Sequence, residues 1–159
     1  MGILQRFTDI MSANINSLLS NAEEKNAGEL LEKYLADARA NLEELKAETS
    51  AIIADEMAAG RRVTANNEEI AKFDRYAEQA VMAGNDDDAR KFLDAKAKLT
   101  AKKQDLENAY ELAKANSDKM RQMTRKLMDD ISAAEGKMGE LRAKLTVAEN
   151  KEKMDDLMH

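Results

Sequence analysis

The stretch Gly84-Asn85-Asp86-Asp87-Asp88 decides the fold of this chain. It is the strongest punctuation in 159 residues that contain no proline. Proline is the residue that breaks helices and shapes turns, so its absence leaves few encoded stops. Glycine tolerates the left-handed backbone that closes a helix, so Gly84 predicts a helix C-terminus. An aspartate just before Ala89 predicts the N-cap of a second helix, and acidic side chains suit the positive end of that helix. The stretch therefore predicts a turn over 84–88 between two helices.

Both flanks carry a heptad pattern. Before the turn, Leu31, Leu35, Ala38, Leu42, Leu45, Thr49, Ile52, Glu56, Ala59, Val63, Asn66, Ile70, Phe73, Ala77 and Ala80 are spaced alternately by fours and threes. Thr49, Glu56 and Asn66 are its polar breaks. After the turn, the same alternation runs through Phe92, Lys96, Leu99, Lys103, Leu106, Tyr110, Ala113, Ser117, Met120, Thr124, Leu127, Ile131, Ala134, Met138, Leu141, Leu145 and Ala148. Such a repeat is the mark of a coiled-coil seam. At ~1.5 Å per residue the arms would be on the order of 80 and 95–100 Å long. Neither arm can bury its stripe alone, so the two fold back on each other as an antiparallel hairpin. The expected boundaries are 29–83 for the first arm, 84–88 for the tip turn and 89–159 for the second arm. The fold class is all-α: an N-terminal amphipathic helix followed by a long antiparallel coiled-coil helical hairpin.

Composition supports this reading. Charged residues make up 35% and aromatics 4%, with no Trp and no Cys. That is the profile of long helices rather than of an ordinary globular core. Without cysteine there is no disulfide framework and no thiolate ligand or nucleophile. A formal net charge of −6 provides no basic field to collect nucleic acid. No apolar run is long enough to span a bilayer.

The start of the chain is different. Ile3, Leu4, Phe7, Ile10, Met11, Ile15, Leu18 and Leu19 fall on one helical stripe, opposed by Gln5, Thr8, Ser12, Asn16 and Ser17. Residues 1–22 are read as this amphipathic helix, and residues 23–28 as a polar linker. Pattern alone leaves two destinations open for the stripe. One is packing on the hairpin or on a neighbouring copy. The other is insertion between lipid headgroups and tails, driven by apolar burial because only Arg6 and Asp9 are charged. The opening residues do not form a secretory signal, and Arg6 stands where a myristoylation site has Ser or Thr.

Three stretches resemble the phage shock protein A family, which includes the plastid vesicle-inducing protein and belongs to the ESCRT-III superfamily. Met1-Gly2-Ile3, Arg6-Phe7, Ala13-Asn14-Ile15-Asn16, Leu18-Leu19 and Ala22-Glu23 resemble the family's amphipathic N-terminus. Lys72-Phe73, Ala77, Ala80, Gly84, Asp86 through Ala89-Arg90, Leu93, Lys96 and Lys98-Leu99 resemble its hairpin tip. Leu141, Lys144-Leu145 and Lys151 carry a weaker likeness. There are departures: Glu24-Lys25 replaces an Asp-Pro, Phe73 stands where the family has Trp, and Lys46 stands where it has Arg. Family members continue past the position of His159, so the resemblance implies a short variant or a truncated chain.

The resemblance implies lipid contact through Ile3, Leu4, Phe7, Ile10, Met11, Ile15, Leu18 and Leu19. It implies hairpin assembly through Phe73, Ala77, Arg90, Leu93 and Leu99. The expected partners are membrane lipids and further copies of the chain, on the cytoplasmic, inner face of the cell membrane. The rival is a soluble coiled-coil adaptor that restrains an AAA-type transcriptional activator in an envelope-stress response. A purely structural filament is a third reading. No nucleic acid, cofactor or metal is expected, and the chain is not expected to be an enzyme. Asp86, Asp87 and Asp88 lack the spacing and distal Glu of a calcium loop. The basic run Arg90, Lys91, Lys96, Lys98, Lys102 and Lys103 holds one aromatic, Phe92, too few for a stacking platform, so nucleic acid is not expected. The run is expected to be a solvated face that pairs with acidic side chains of a neighbouring hairpin, with contact to anionic lipid as the alternative. His159 is the sole histidine, and no nucleotide-binding glycine loop is present. The late methionines are expected to fill gaps in the seam.

Overall fold

The computed structural model describes residues 24–158. Among these residues there are two helices, α1 over Glu24–Met82 and α2 over Asp86–Met158. Together they form an all-α helical hairpin with coiled-coil seams. The amphipathic helix expected over 1–22 lies outside the described residues.

α1 begins at Glu24, so 24–28 are helical rather than a linker, and Ala27 is buried. Asn26 is exposed, on a helix that no proline interrupts. Gly28 costs about 1 kcal/mol relative to alanine, too little to stop a helix that is buried one residue earlier.

The turn is shorter than 84–88. The amide of Asn85 donates to the carbonyl of Ala80 at 2.8 Å, and that of Gly84 to Val81 at 3.1 Å. These are the two bonds of a Schellman motif. Gly84 takes φ 74°, the left-handed conformation this motif requires. Asn85, not an aspartate, caps α2. Its Oδ1 accepts from the amide of Asp88 at 3.2 Å, and its Nδ2 donates to Asp88 Oδ2 at 2.7 Å. Asn caps as well as Asp does, which releases Asp86, Asp87 and Asp88 to sit in the first turn of α2 against its positive end.

The chain divides into two compact units, 1–48 with 120–159, and 49–119. In the first, Leu31, Leu35, Ala38 and Leu45 of α1 are buried, as are Met120, Leu127, Ile131, Ala134 and Met138 of α2. This is a well-filled aliphatic seam. In the second unit the buried seam positions are small or polar: Thr49, Ala59, Asn66, Ala77, Ala80 and Ser117. Larger side chains such as Ile52, Val63, Ile70, Leu99 and Leu106 are only half-buried there. The seam expected on α2 departs at three positions. Lys103 is exposed because its ammonium stays in water. Leu145 and Ala148 are exposed, and so is every residue from Arg142 to Met158. α1 starts only at Glu24, so no described part of the first arm lies along that end of α2.

Candidate functional site at the hairpin tip

The tip gathers half of the chain's aromatic side chains. Phe73 lies 6.1 Å from Tyr76 edge-on and 6.2 Å from Phe92, and Tyr76 lies 5.4 Å from Phe92. These separations fall in the favourable range for ring pairs. Phe73 and Tyr76 are adjacent because residues three apart share a helix face. Phe92 reaches them from α2. Lys72 places its ammonium 5.9 Å from the Phe73 centroid and 5.8 Å from that of Tyr76. A cation at that range is attracted to the ring faces.

Around this cluster, Lys96 donates to Asp74 Oδ1 at 2.8 Å across the two helices. Lys72 also lies 3.7 Å from Glu69. Ala77 and Ala89 are buried, and their small side chains let the helices approach. Of the residues expected to mediate assembly, Phe73 and Ala77 are thus inside or half inside the tip. Arg90 is exposed, Leu93 is 47% exposed, and Leu99 is half-buried. Leu99 contributes through its backbone, because its carbonyl accepts a hydrogen bond from Asn66 Nδ2 at 3.0 Å. Tyr76 escapes a strict heptad reading, since it lies one position before Ala77 and off the seam. Its spacing of three from Phe73 is the signal that identifies it.

The tip also exposes apolar surface. Val81, Met82 and Leu93 are largely exposed, and Tyr76 is on the margin. Arg90, Lys91, Lys98, Lys102 and Lys103 are exposed, whereas Lys96 is committed to Asp74. The eight residues expected to contact lipid lie outside the described residues. Among the described residues, no group of three or more acidic or histidine side chains is gathered as metal ligands. No helix among them is long and apolar enough to cross a membrane. One titration is displaced: burial, reinforced by the Asp130 carboxylate, raises the Tyr34 phenol above its ordinary value of 10.0.

A long two-helix hairpin with an aromatic, partly apolar tip defines this chain as an all-α coiled-coil hairpin protein. The chain belongs to the PspA/IM30 family, whose pattern it matches over residues 2–159. That family is structural and regulatory rather than enzymatic, and its members act in membrane stress responses. The chain is similar to a phage shock protein A homolog of Bacillus subtilis, 41% identical over 157 residues, 99% of this chain and 68% of that protein. It is also similar to the membrane-associated protein Vipp1 of Synechocystis, 29% identical over 144 residues, 91% of this chain and 51% of that protein. A phage shock protein A homolog of Deinococcus radiodurans is 25% identical over 157 residues. The chain thus spans about two thirds of the Bacillus relative and about half of the Synechocystis one.

Proposed function

We propose that this chain is a peripheral membrane-binding protein. In this reading it polymerises with its own copies into a scaffold that stabilises or remodels stressed membranes on the inner face of the cell membrane. The observation that carries the reading is the apolar stripe from Ile3 to Leu19, backed by a polar face with little charge, in a chain whose similar proteins include ones named membrane-associated. Eight large apolar side chains, at ~25 cal/mol per Å² buried, suffice for marginal binding by one helix. Many helices held on one scaffold bind far more tightly, because each later contact is intramolecular. The hairpin supplies the scaffold, and Phe73, Ala77, Arg90, Leu93 and Leu99 are proposed to mediate its assembly.

Liposome flotation of the intact chain against one lacking residues 1–22 tests the anchor. The intact chain floats and the shortened one stays at the bottom. Equal behaviour of the two removes the anchor. An intact chain that sediments as a monomer at high concentration removes the scaffold. Tyr76 and Leu93, exposed at the tip, favour a second reading, in which the tip restrains an AAA-type transcriptional activator. A tip variant that floats normally but no longer inhibits such an activator would support it.

A further inference from the structure

Met57, Gly60, Thr64 and Ala65 of α1 and Tyr110 of α2 line an open, largely apolar groove within the 49–119 unit. Gly60 lets the Tyr110 ring close on α1: a β-carbon there would lie 3.3 Å from Cε2 of that ring. Met57, Thr64 and Ala65 are exposed, so nothing among the described residues covers this face. Arg61 and Glu68 line the same groove. Both are exposed, and neither side chain has an ion pair or hydrogen bond among the described residues. Two helical turns separate them on one face, ~10 Å along the axis, too far for them to pair with each other. Their midpoint falls between Thr64 and Ala65, two small side chains. A helix face with a cation and an anion placed evenly about its midpoint is its own complement when a second copy runs antiparallel across it. Each Arg61 then meets Glu68 of the other copy. Thr64 meets Ala65 of the other copy, where small side chains let the two backbones approach.

We infer that this groove is a contact between copies of the chain, in which two α1 helices cross antiparallel about a two-fold axis between Thr64 and Ala65. Such a contact uses the same patch on both copies. Met57 and Tyr110 supply apolar area, and the crossed Arg61–Glu68 pairs set orientation and register, which is what charges across an interface do best. The two charges cancel, so the face offers a singly charged surface no net attraction; a second copy is the partner that uses both. The inference rests on the reading that the chain assembles with its own copies, and it names the surface and geometry of one such contact.

The test is a charge exchange in the full-length chain, read by sedimentation velocity over a concentration series. In R61E both crossed pairs become repulsions between carboxylates, and in E68R between guanidinium groups. Each single variant is expected to weaken self-association about tenfold at low salt, and less at high salt. R61E/E68R reverses both charges and returns association to near the parent's. An equimolar mixture of R61E and E68R chains associates more strongly than either alone, because each carries the charges the other lacks. Such rescue cannot arise within one chain, where the two positions are too far apart to pair. Both are exposed helix positions, so helical content by circular dichroism should not change. Single variants that assemble as strongly as an assembling parent overturn this contact, leave the scaffold reading standing and give the groove another occupant. Single variants that assemble weakly, with no rescue in the double variant or the mixture, overturn the antiparallel pairing. A parent that stays monomeric overturns both this contact and the scaffold.

Discussion

Arg39 of α1 donates from Nη2 to Glu135 Oε1 of α2 at 3.0 Å, across 96 residues of sequence, with both side chains more than half exposed. Solvent and salt screen such a pair, and ordering two long side chains offsets its attraction. R39A and E135Q are expected to destabilise by about 1 kcal/mol or less, and the loss should shrink further in high salt. Leu45, fully buried in the same unit, behaves differently. L45A leaves a cavity and is expected to cost about 2–5 kcal/mol. Urea titrations followed by circular dichroism at low and high salt compare the two.

The glycines separate by environment. A β-carbon at Gly136 or Gly139 meets nothing within 4 Å, and both lie inside α2. G136A and G139A should each stabilise by about 0.5–1 kcal/mol through helix propensity. G84A should destabilise by about 1–2 kcal/mol, because φ 74° forces an L-residue into the left-handed region. Thermal melts of the three variants give the signs, and a stabilised G84A would contradict the Schellman turn.

Ser117 is fully buried, and its hydroxyl has no hydrogen-bond partner among the described residues. Removing an unsatisfied buried hydroxyl recovers its desolvation cost, and alanine is the better helix former. S117A is therefore expected to stabilise by about 1 kcal/mol, a rise of roughly 2–4 °C in Tm for a chain of this size. A fall in Tm would show that the hydroxyl has a partner in solution.

Tyr34 yields a pH prediction. Burial, and then the Asp130 carboxylate, raise its phenol above 10.0. The folded state thus holds this proton at pH values where the unfolded chain releases it. Its contribution is fully present below about pH 10, the unfolded value, and is lost as pH rises through the higher folded value. Denaturant midpoints measured at pH 8 and above pH 10 should fall more for the parent chain than for Y34F. Equal falls would show that the phenol is not displaced.

The proposed anchor should be separable from the hairpin. A polar substitution in the stripe, such as Leu18→Asp, removes apolar burial and adds a charge at the depth of the acyl boundary. It is expected to weaken vesicle binding at least about tenfold, since burying a leucine is worth about 1.5–3 kcal/mol. The hairpin's melting temperature should not change. A variant that still floats would place the stripe elsewhere.

The sequence by itself determined the class of this protein. A heptad alternation from Leu31 to Ala80, a second from Phe92 onward and one glycine between them leave an antiparallel hairpin as the way to bury both stripes. All the α1 positions of that alternation are buried or half-buried in the structure. Periodicity reports which face is inward, because it depends only on helical geometry. It does not report what lies opposite. The tertiary structure decided that Asn66 meets the Leu99 carbonyl, that Gly60 admits the Tyr110 ring, and that Tyr76 joins Phe73 and Phe92. It also decided that Asn85 rather than an aspartate caps α2, and that Leu145 stands exposed where the heptad continues. Each of these depends on which residue of one helix reaches which residue of the other, or on competition between equivalent caps. Both are settled by three-dimensional packing and not by spacing along one strand of sequence.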